Sequence, residues 1–457
     1  MRSKLVKHRQ HYHTEPRHIA PSTCHRMASF SPGTLSPPQV CAGYQFVKTG
    51  PLPSTKIGII SLGGGIDEND VKAAFQAWGL PAPKIAYVSV DGATNSPSSD
   101  QDANVENQLD VQVSAAAWAY CTGTPAAIVF LSAPNNGTGI AHAITAGVAS
   151  GCDVLSLSWG APESQWQASD RAVTEQALAA AYQVSVPTFV ASGDNSLDDG
   201  TSTPTVDYPC GSIYSWAVGG TRLIINADGT IEESAWGDGR ANDPGGGGGF
   251  DSNTPMPSWQ RGALPSGSQY RGVPDSSANA DPASGYQIVA NGSWMEVGGT
   301  SGAAPLTAGY LAVCKAMASK AGVAFPALAP TLYGNPSAFN DITTGSDGAP
   351  ATVGWDEATG LGSPNGPNLL KVLSAAASQP PTPPPTPTPT PLPTPTPAPV
   401  GPSAQELIAQ IDAAFAALQQ TRGFVRFAGV LKYANKMVDA IVLAAYGKAS
   451  AQRRCAA

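Results

Sequence analysis

Histidine is nearly missing from the body of this chain. Five of the six, His8, His11, His13, His18 and His25, fall within the first 25 residues, and only His142 lies beyond them. A Ser-His-Asp hydrolase would therefore have a single candidate base, in the amphipathic helical segment 139–144, and the shortage argues against one. The seven cysteines (Cys24, Cys41, Cys121, Cys152, Cys210, Cys314 and Cys455) form no C-x-x-C pair and no metal-ligand spacing. So scattered and odd a set does not report a redox compartment. No apolar run is long enough to span a membrane. Residues 1–36 are basic and rich in His, Pro and Ser, without the apolar core of a secretory signal. Charged residues make up only 13% of the chain and are partitioned. Residues 44–375 hold 12 basic and 29 acidic side chains, whereas 1–43 and 376–457 carry net charges of +5 and +4. An acidic body argues against nucleic acid as a partner and suits work at low pH.

Glycine and proline, by contrast, are abundant, at 49 and 42 residues. From Lys56 the text reads as α/β. Apolar strands at 56–62, 85–90, 126–131, 154–159 and 188–191 alternate with helices at 67–78, 102–120, 138–150 and 168–182. Such alternation predicts a mostly parallel sheet covered on both faces. Ligands of such sheets meet loops at the carboxyl ends of strands, here 63–67, 159–163 and 192–199. Residues 238–297, with five glycines at Gly245 to Gly249, read as loops and short strands. Residues 376–402 are a Pro/Thr-rich linker of polyproline II type. Residues 403–457 read as two amphipathic helices forming a hairpin, opened by a capping box from Ser403 to Glu406. That module offers two readings, a partner-binding surface or a self-associating tail. Residues 1–43 read as a disordered arm.

The chain is organised around Gly298-Gly299-Thr300-Ser301-Gly302. An apolar run at helical spacing follows, with Pro305 suited to a first helical turn. Ser301 then sits where a tight turn enters a buried helix, beside N–H groups that suit an oxyanion. Without histidine, a carboxylate must activate it. Glu106 and Asp110, spaced i, i+4, share one face of the 102–120 helix. Buried together they titrate as a unit, one holding a proton while the other accepts one. Glu106 would take the Ser301 proton and Asp110 would orient Glu106. Asp194, just past a strand end, is a third carboxyl, able to donate to an oxyanion when protonated.

These motifs, in this order, resemble the sedolisins, the serine-carboxyl peptidases: Glu106-x-x-x-Asp110, Ser192-Gly193-Asp194, Gly299-Thr300-Ser301, then Asp341-Ile342 and Gly354-Trp355-Asp356. Ser156 to Gly160, Pro274-Asp275 and Thr359 to Gly362 support the resemblance, which covers residues 44–375. It implies a subtilisin-like three-layer fold and hydrolysis of polypeptide substrates at acid pH; sedolisins include endopeptidases and tripeptidyl aminopeptidases, and an endopeptidase is the expectation here. Ser301 is then the nucleophile, Glu106 the general base, Asp110 its partner and Asp194 the oxyanion donor. The resemblance also implies one Ca²⁺, held by the carboxylates of Asp341 and Asp356 and the carbonyls of Ile342, Thr352 and Gly354, where Thr352 replaces a usual glycine. Secreted sedolisins carry a long propeptide, and 43 residues precede the domain here, so the expectation is either a propeptide-less form or a truncated or misassigned start. The alternative is a catalytically silent scaffold presenting the C-terminal helices.

Overall fold

The computed structural model describes residues 33–377, except 202 and 240–243. The chain divides into two compact units, Met1–Pro385 and Thr386–Ala457, and every described residue belongs to the first. The expected arm up to residue 32, the linker beyond 377 and the hairpin of 403–457 lie outside the described residues.

Eight strands form the central sheet: β1 (Lys56–Ser61), β2 (Lys84–Ser89), β3 (Ala127–Ser132), β4 (Val154–Leu157), β5 (Thr188–Ala191), β6 (Ser215–Ile225), β7 (Ile231–Ala235) and β8 (Ser276–Asn279). Seven run parallel in the order β2-β3-β1-β4-β5-β6-β8, and β7 lies antiparallel beside β6. One row of partners, Phe130, Ile59, Ser156, Phe189 and Trp216, crosses five of them and sets the register. Strand order reverses around β1, so the crevice at the carboxyl ends opens near the sheet's middle.

The main helices are α1 (Pro37–Gly43), α2 (Glu68–Trp78), α3 (Gln101–Thr122), α4 (Gly137–Ala149), α5 (Ala168–Gln183), α6 (Thr300–Lys320), α7 (Leu328–Tyr333) and α8 (Gly366–Ala377). The pleat of β1 divides them. Ile57 and Ile59 enter one core with α2, α3 and α6, while Ile60 enters a second with α4 and α5. This is the expected three-layer, subtilisin-like α/β arrangement. Each fully buried Ile or Phe adds about 1.5–3 kcal/mol.

Both helices that matter for the site are buried almost all round. Asp100 caps α3, its carboxylate accepting from the N–H groups of Asp102 and Ala103 at 3.1 Å each. This satisfies two of the donors that a helix start leaves open.

Two details differ from the sequence reading. β4 ends at Leu157, so Ser158 and Trp159 leave the sheet instead of continuing it. α6 begins at Thr300, so Pro305 is its sixth residue, one turn deeper than expected. The reason is that Asp194, from another segment, supplies the cap and starts the helix early. Because Pro305 has no N–H, the carbonyl of Ser301 loses its helical donor.

Candidate active site

Glu106, Asp110, Ser158, Asp194 and Ser301 come together where α3 meets the start of α6 and the carboxyl ends of β4 and β5. Each is at most 1% exposed. The spacing of Glu106 and Asp110 puts both on the face of α3 that α6 covers. Ser158 follows β4 and Asp194 follows β5, so the sheet fixes their positions relative to the helices.

The Ser158 hydroxyl donates to Asp110 Oδ1 at 2.6 Å. The same hydroxyl lies 3.4 Å from the Ser301 carbonyl oxygen, the acceptor that Pro305 leaves open. Burial and the neighbouring Asp110 hold the Glu106 carboxyl well above the usual carboxylate range, with Asp194 adding to the rise. The Ser301 and Ser158 hydroxyls act the other way, favouring ionised Glu106. Neither Glu106 oxygen receives a fully formed hydrogen bond. Catalytic hydrogen bonds are commonly long before substrate binds. Asp110 is also raised by burial and lowered by Ser158. Two carboxyls this close and this dry share one proton.

Asp194 Oδ1 accepts from the Thr300 backbone N–H at 2.7 Å and from the Thr300 hydroxyl at 2.8 Å. The Gly193 N–H in turn donates to Thr300 Oγ1 at 3.2 Å. Gly299, with φ +124°, makes the turn, and a β-carbon there would lie 2.7 Å from Asp194 Oδ2. Only glycine satisfies both demands. Thus Oδ1 is spent on the helix start while Oδ2 lies against the Gly299 backbone, beside Ser301 in sequence.

Sequence reasoning named Glu106, Asp110, Asp194 and Ser301, and the fold brings all four together. It missed Ser158 and Thr300. Ser158 stood inside the Ser156 to Gly160 phrase without a role, and Thr300 was visible only as the nucleophile's neighbour. His142 is elsewhere. It lies on α4, in the opposite helical layer, with Nδ1 2.6 Å from Asp91 Oδ2 and both side chains exposed. A triad through His142 is therefore set aside. Among the described residues, Cys41, Cys121, Cys152, Cys210 and Cys314 are buried free thiols.

Of the five residues implied for calcium, Asp341 meets Gly354 and Thr352 meets Asp356. The Gly354 N–H approaches Asp341 Oδ1 and Oδ2 at 3.2 and 3.1 Å, and the Thr352 N–H donates to Asp356 Oδ2 at 2.7 Å. Asp356 Oδ1 accepts from the Ala358 and Thr359 backbones and the Thr359 hydroxyl. Among the described residues, the carbonyls of Ile342, Thr352 and Gly354 accept no backbone hydrogen bond outside helices and strands. No group of three or more His, Cys, Asp or Glu side chains suited to a metal occurs among the described residues. A cation here would rest on two carboxylates and main-chain oxygens. That all-oxygen set fits Ca²⁺.

Residues 121–326 match the Subtilase family (Peptidase S8), a segment that holds Asp194 and Ser301 but starts after Glu106 and Asp110. Kumamolisin from Bacillus sp. (strain MN-32) is 38% identical over 377 residues, covering 78% of this chain and 66% of that protein. Xanthomonalisin from Xanthomonas sp. (strain T-22) is 28% identical over 418 residues, covering 78% of this chain and 49% of that protein. The chain thus spans between about half and two thirds of the length of these curated relatives. Among solved structures, Pseudomonas sedolisin, a serine-carboxyl proteinase complexed with pseudo-iodotyrostatin, superposes with a TM-score of 0.68 at 26% identity. That match covers 76% of this chain and 100% of the sedolisin chain.

Proposed function

This chain belongs to the sedolisin family, and from that premise we propose that it is an acid-active serine-carboxyl peptidase acting through an acyl-enzyme on Ser301. The observation that carries the reading is the burial of Ser301 against the Glu106–Asp110 pair, with no imidazole in that layer of the described fold.

The chemistry follows from the proton count. With one proton on the pair, Glu106 is ionised and Asp110 holds the proton. Ser301 Oγ attacks the scissile carbonyl carbon while its proton passes to Glu106. The carbonyl oxygen becomes an oxyanion, facing the start of α6 and a protonated Asp194 Oδ2. Glu106 then gives its proton to the departing amine, leaving the acyl group on Ser301. Water repeats the sequence and releases the acid. The site needs the pair singly protonated and Asp194 protonated. As pH rises these protons are lost in turn, so the rate is expected to fall towards neutrality.

Tripeptidyl-peptidases are among the relatives, and of the two modes we take internal cleavage as the reading to be tested. We also infer that Asp341 and Asp356, with the carbonyls of Ile342, Thr352 and Gly354, hold one Ca²⁺. When bound, it would offset the two carboxylate charges and tie the loop together. Cleavage-site profiling with a peptide library at acid pH tests the function, with Ser301→Ala as control. Internal cuts that vanish in the control support an endopeptidase. Removal of tripeptides from free amino termini would replace that assignment with the aminopeptidase, and cuts persisting in Ser301→Ala would reject the mechanism.

A further inference from the structure

The loop that carries Asp194 turns back on itself. Gly193 takes φ +117°, and Ser196 and Asp199 are left-handed at +61° and +40°. The return brings the Asp199 carboxyl against the Gly193 backbone, where a β-carbon would lie 3.2 Å from Asp199 Oδ1. Asp207 reaches the same place from another segment, the short strand Asp207–Tyr208 that pairs antiparallel with Ala161–Pro162. Its Oδ2 would stand 3.3 Å from that β-carbon and 3.4 Å from one on Gly160. Two carboxyls thus meet beside Gly193, the residue just before the oxyanion donor.

Asp207 is 2% exposed, and neither of its oxygens receives a hydrogen bond from an amide or hydroxyl of the described residues. It is nonetheless hydrogen-bonded to Asp199. Two carboxylates have no proton to share, so that bond requires one of them to be protonated. Burial, then the charge and hydrogen bond of Asp199, then Asp194, hold Asp207 well above the usual carboxylate range, so the proton belongs to Asp207. The Asn195 side-chain amide donates to Asp199 Oδ1 at 3.2 Å and holds the acceptor in place.

We propose that Asp199 and Asp207 are positioning residues, whose shared proton latches the loop 192–199 and so holds Asp194 at the oxyanion, and whose loss of that proton releases the loop. This inference rests on the peptidase reading above. It assigns part of the acid dependence to a contact outside the Glu106–Asp110–Ser301 set.

The titratable groups around Asp207 are Asp199 and Asp194 on the loop and Cys210, three residues on. Burial and then Asp207 push the Cys210 thiol up, which keeps it neutral. Arg271 acts on Cys210 but is not among the groups acting on Asp207. The segments 158–160 and 245–249 contain no titratable side chain. With the proton gone, two buried carboxylates face each other without a cation, and repulsion parts them. The loop is then held by main-chain bonds such as Ser196 N–H to the Gly245 carbonyl at 3.1 Å and Leu197 N–H to the Asp347 carbonyl at 3.0 Å. Those two amides report its opening.

The test replaces the proton by an amide. In Asp207→Asn the amide donates to Asp199 as the native proton does, and in Asp199→Asn it donates the other way. Each variant has the net charge of the singly protonated pair, and neither can lose its donor. The pH profile of kcat/KM is measured from acid to neutral pH for both, beside the parent chain, Asp199→Ala and Ser301→Ala. In both amide variants the alkaline limb should move up by about one unit, so the ratio of neutral to acid activity rises about tenfold. Asp199→Ala, without a donor, should show no such gain. Hydrogen exchange gives a readout independent of turnover, on Ser301→Ala protein with and without Asp207→Asn. The Ser196 and Leu197 amides should lose protection towards neutral pH in the first and keep it in the second. An unmoved or lowered limb would overturn the inference, because removing a negative charge beside Asp194 without a latch only eases its ionisation. So would a gain in Asp199→Ala equal to that of the amide variants, or equal protection in the two exchange samples at every pH. If one amide variant packs poorly, the other decides. Cleavage persisting in Ser301→Ala would instead remove the peptidase reading itself.

Discussion

Gly309 of α6 faces the main-chain carbonyl of Ser114 on α3 so closely that a β-carbon at 309 would lie 2.4 Å from that oxygen. The two helices carrying the nucleophile and its base therefore meet backbone to backbone. The gap between Ser301 and Glu106 depends on this contact as well as on the residues of the site.

Gly309→Ala is accordingly expected to push α6 away from α3. The backbone oxygen cannot rotate aside, so overpacking should cost about 1–3 kcal/mol in denaturant unfolding. Peptidase activity should fall further than stability explains, because small displacements of reacting groups cost large factors in rate. Full activity in a stably folded Gly309→Ala protein would show that the contact does not set the site.

Much of this architecture is legible in the sequence, for identifiable reasons. The strands of the parallel sheet are continuous apolar runs because both faces are covered, and α3 shows its carboxyls at i, i+4 because both face α6. What is not legible are relationships that only the sheet creates. Ser158 meets Asp110 because β4 ends where α3 passes, and no spacing encodes that. Pro305 misleads, since its suitability for a first turn says nothing of the cap that Asp194 brings from beyond β5. Gly309 reads as one more small residue in a helix until the neighbouring backbone is in place.

Stability should also depend on pH, through a second carboxyl pair. Glu163 is pushed up to about 7, first by burial and then by its hydrogen bond with Asp251, with Asn253 and Arg171 acting the other way. In an unfolded chain a glutamate titrates near 4.3. Its folded pKa is the higher one, so this contribution is fully present below about pH 4 and lost as pH rises through about 7. The melting temperature should decline across that window, and Glu163→Gln should flatten the decline. Parallel curves for the two proteins would contradict the assignment.

Chelation should lower the melting temperature of protein prepared with calcium. A ligand at a hundred times its Kd adds about 2.7 kcal/mol to the folded state. Asp341→Asn and Asp356→Asn should melt lower than the parent and respond less to chelator. A melting temperature indifferent to chelator would remove the ion from the account.

His142→Ala should leave turnover unchanged at every pH. The exposed pair with Asp91 is worth about 0–1 kcal/mol of stability at most. A large fall in kcat would reopen the histidine route.

The most direct test joins Ser301 and Glu106 in one double-mutant cycle. The rate of peptide cleavage at acid pH is measured for Ser301→Ala, Glu106→Gln and the double variant, with folding checked by melting. If the hydroxyl gives its proton to that carboxylate, each single change should cost at least about a thousandfold, and the double no more than the worse single. Near-parental turnover in either single variant, or losses that multiply, would contradict the claim that the two act as one unit.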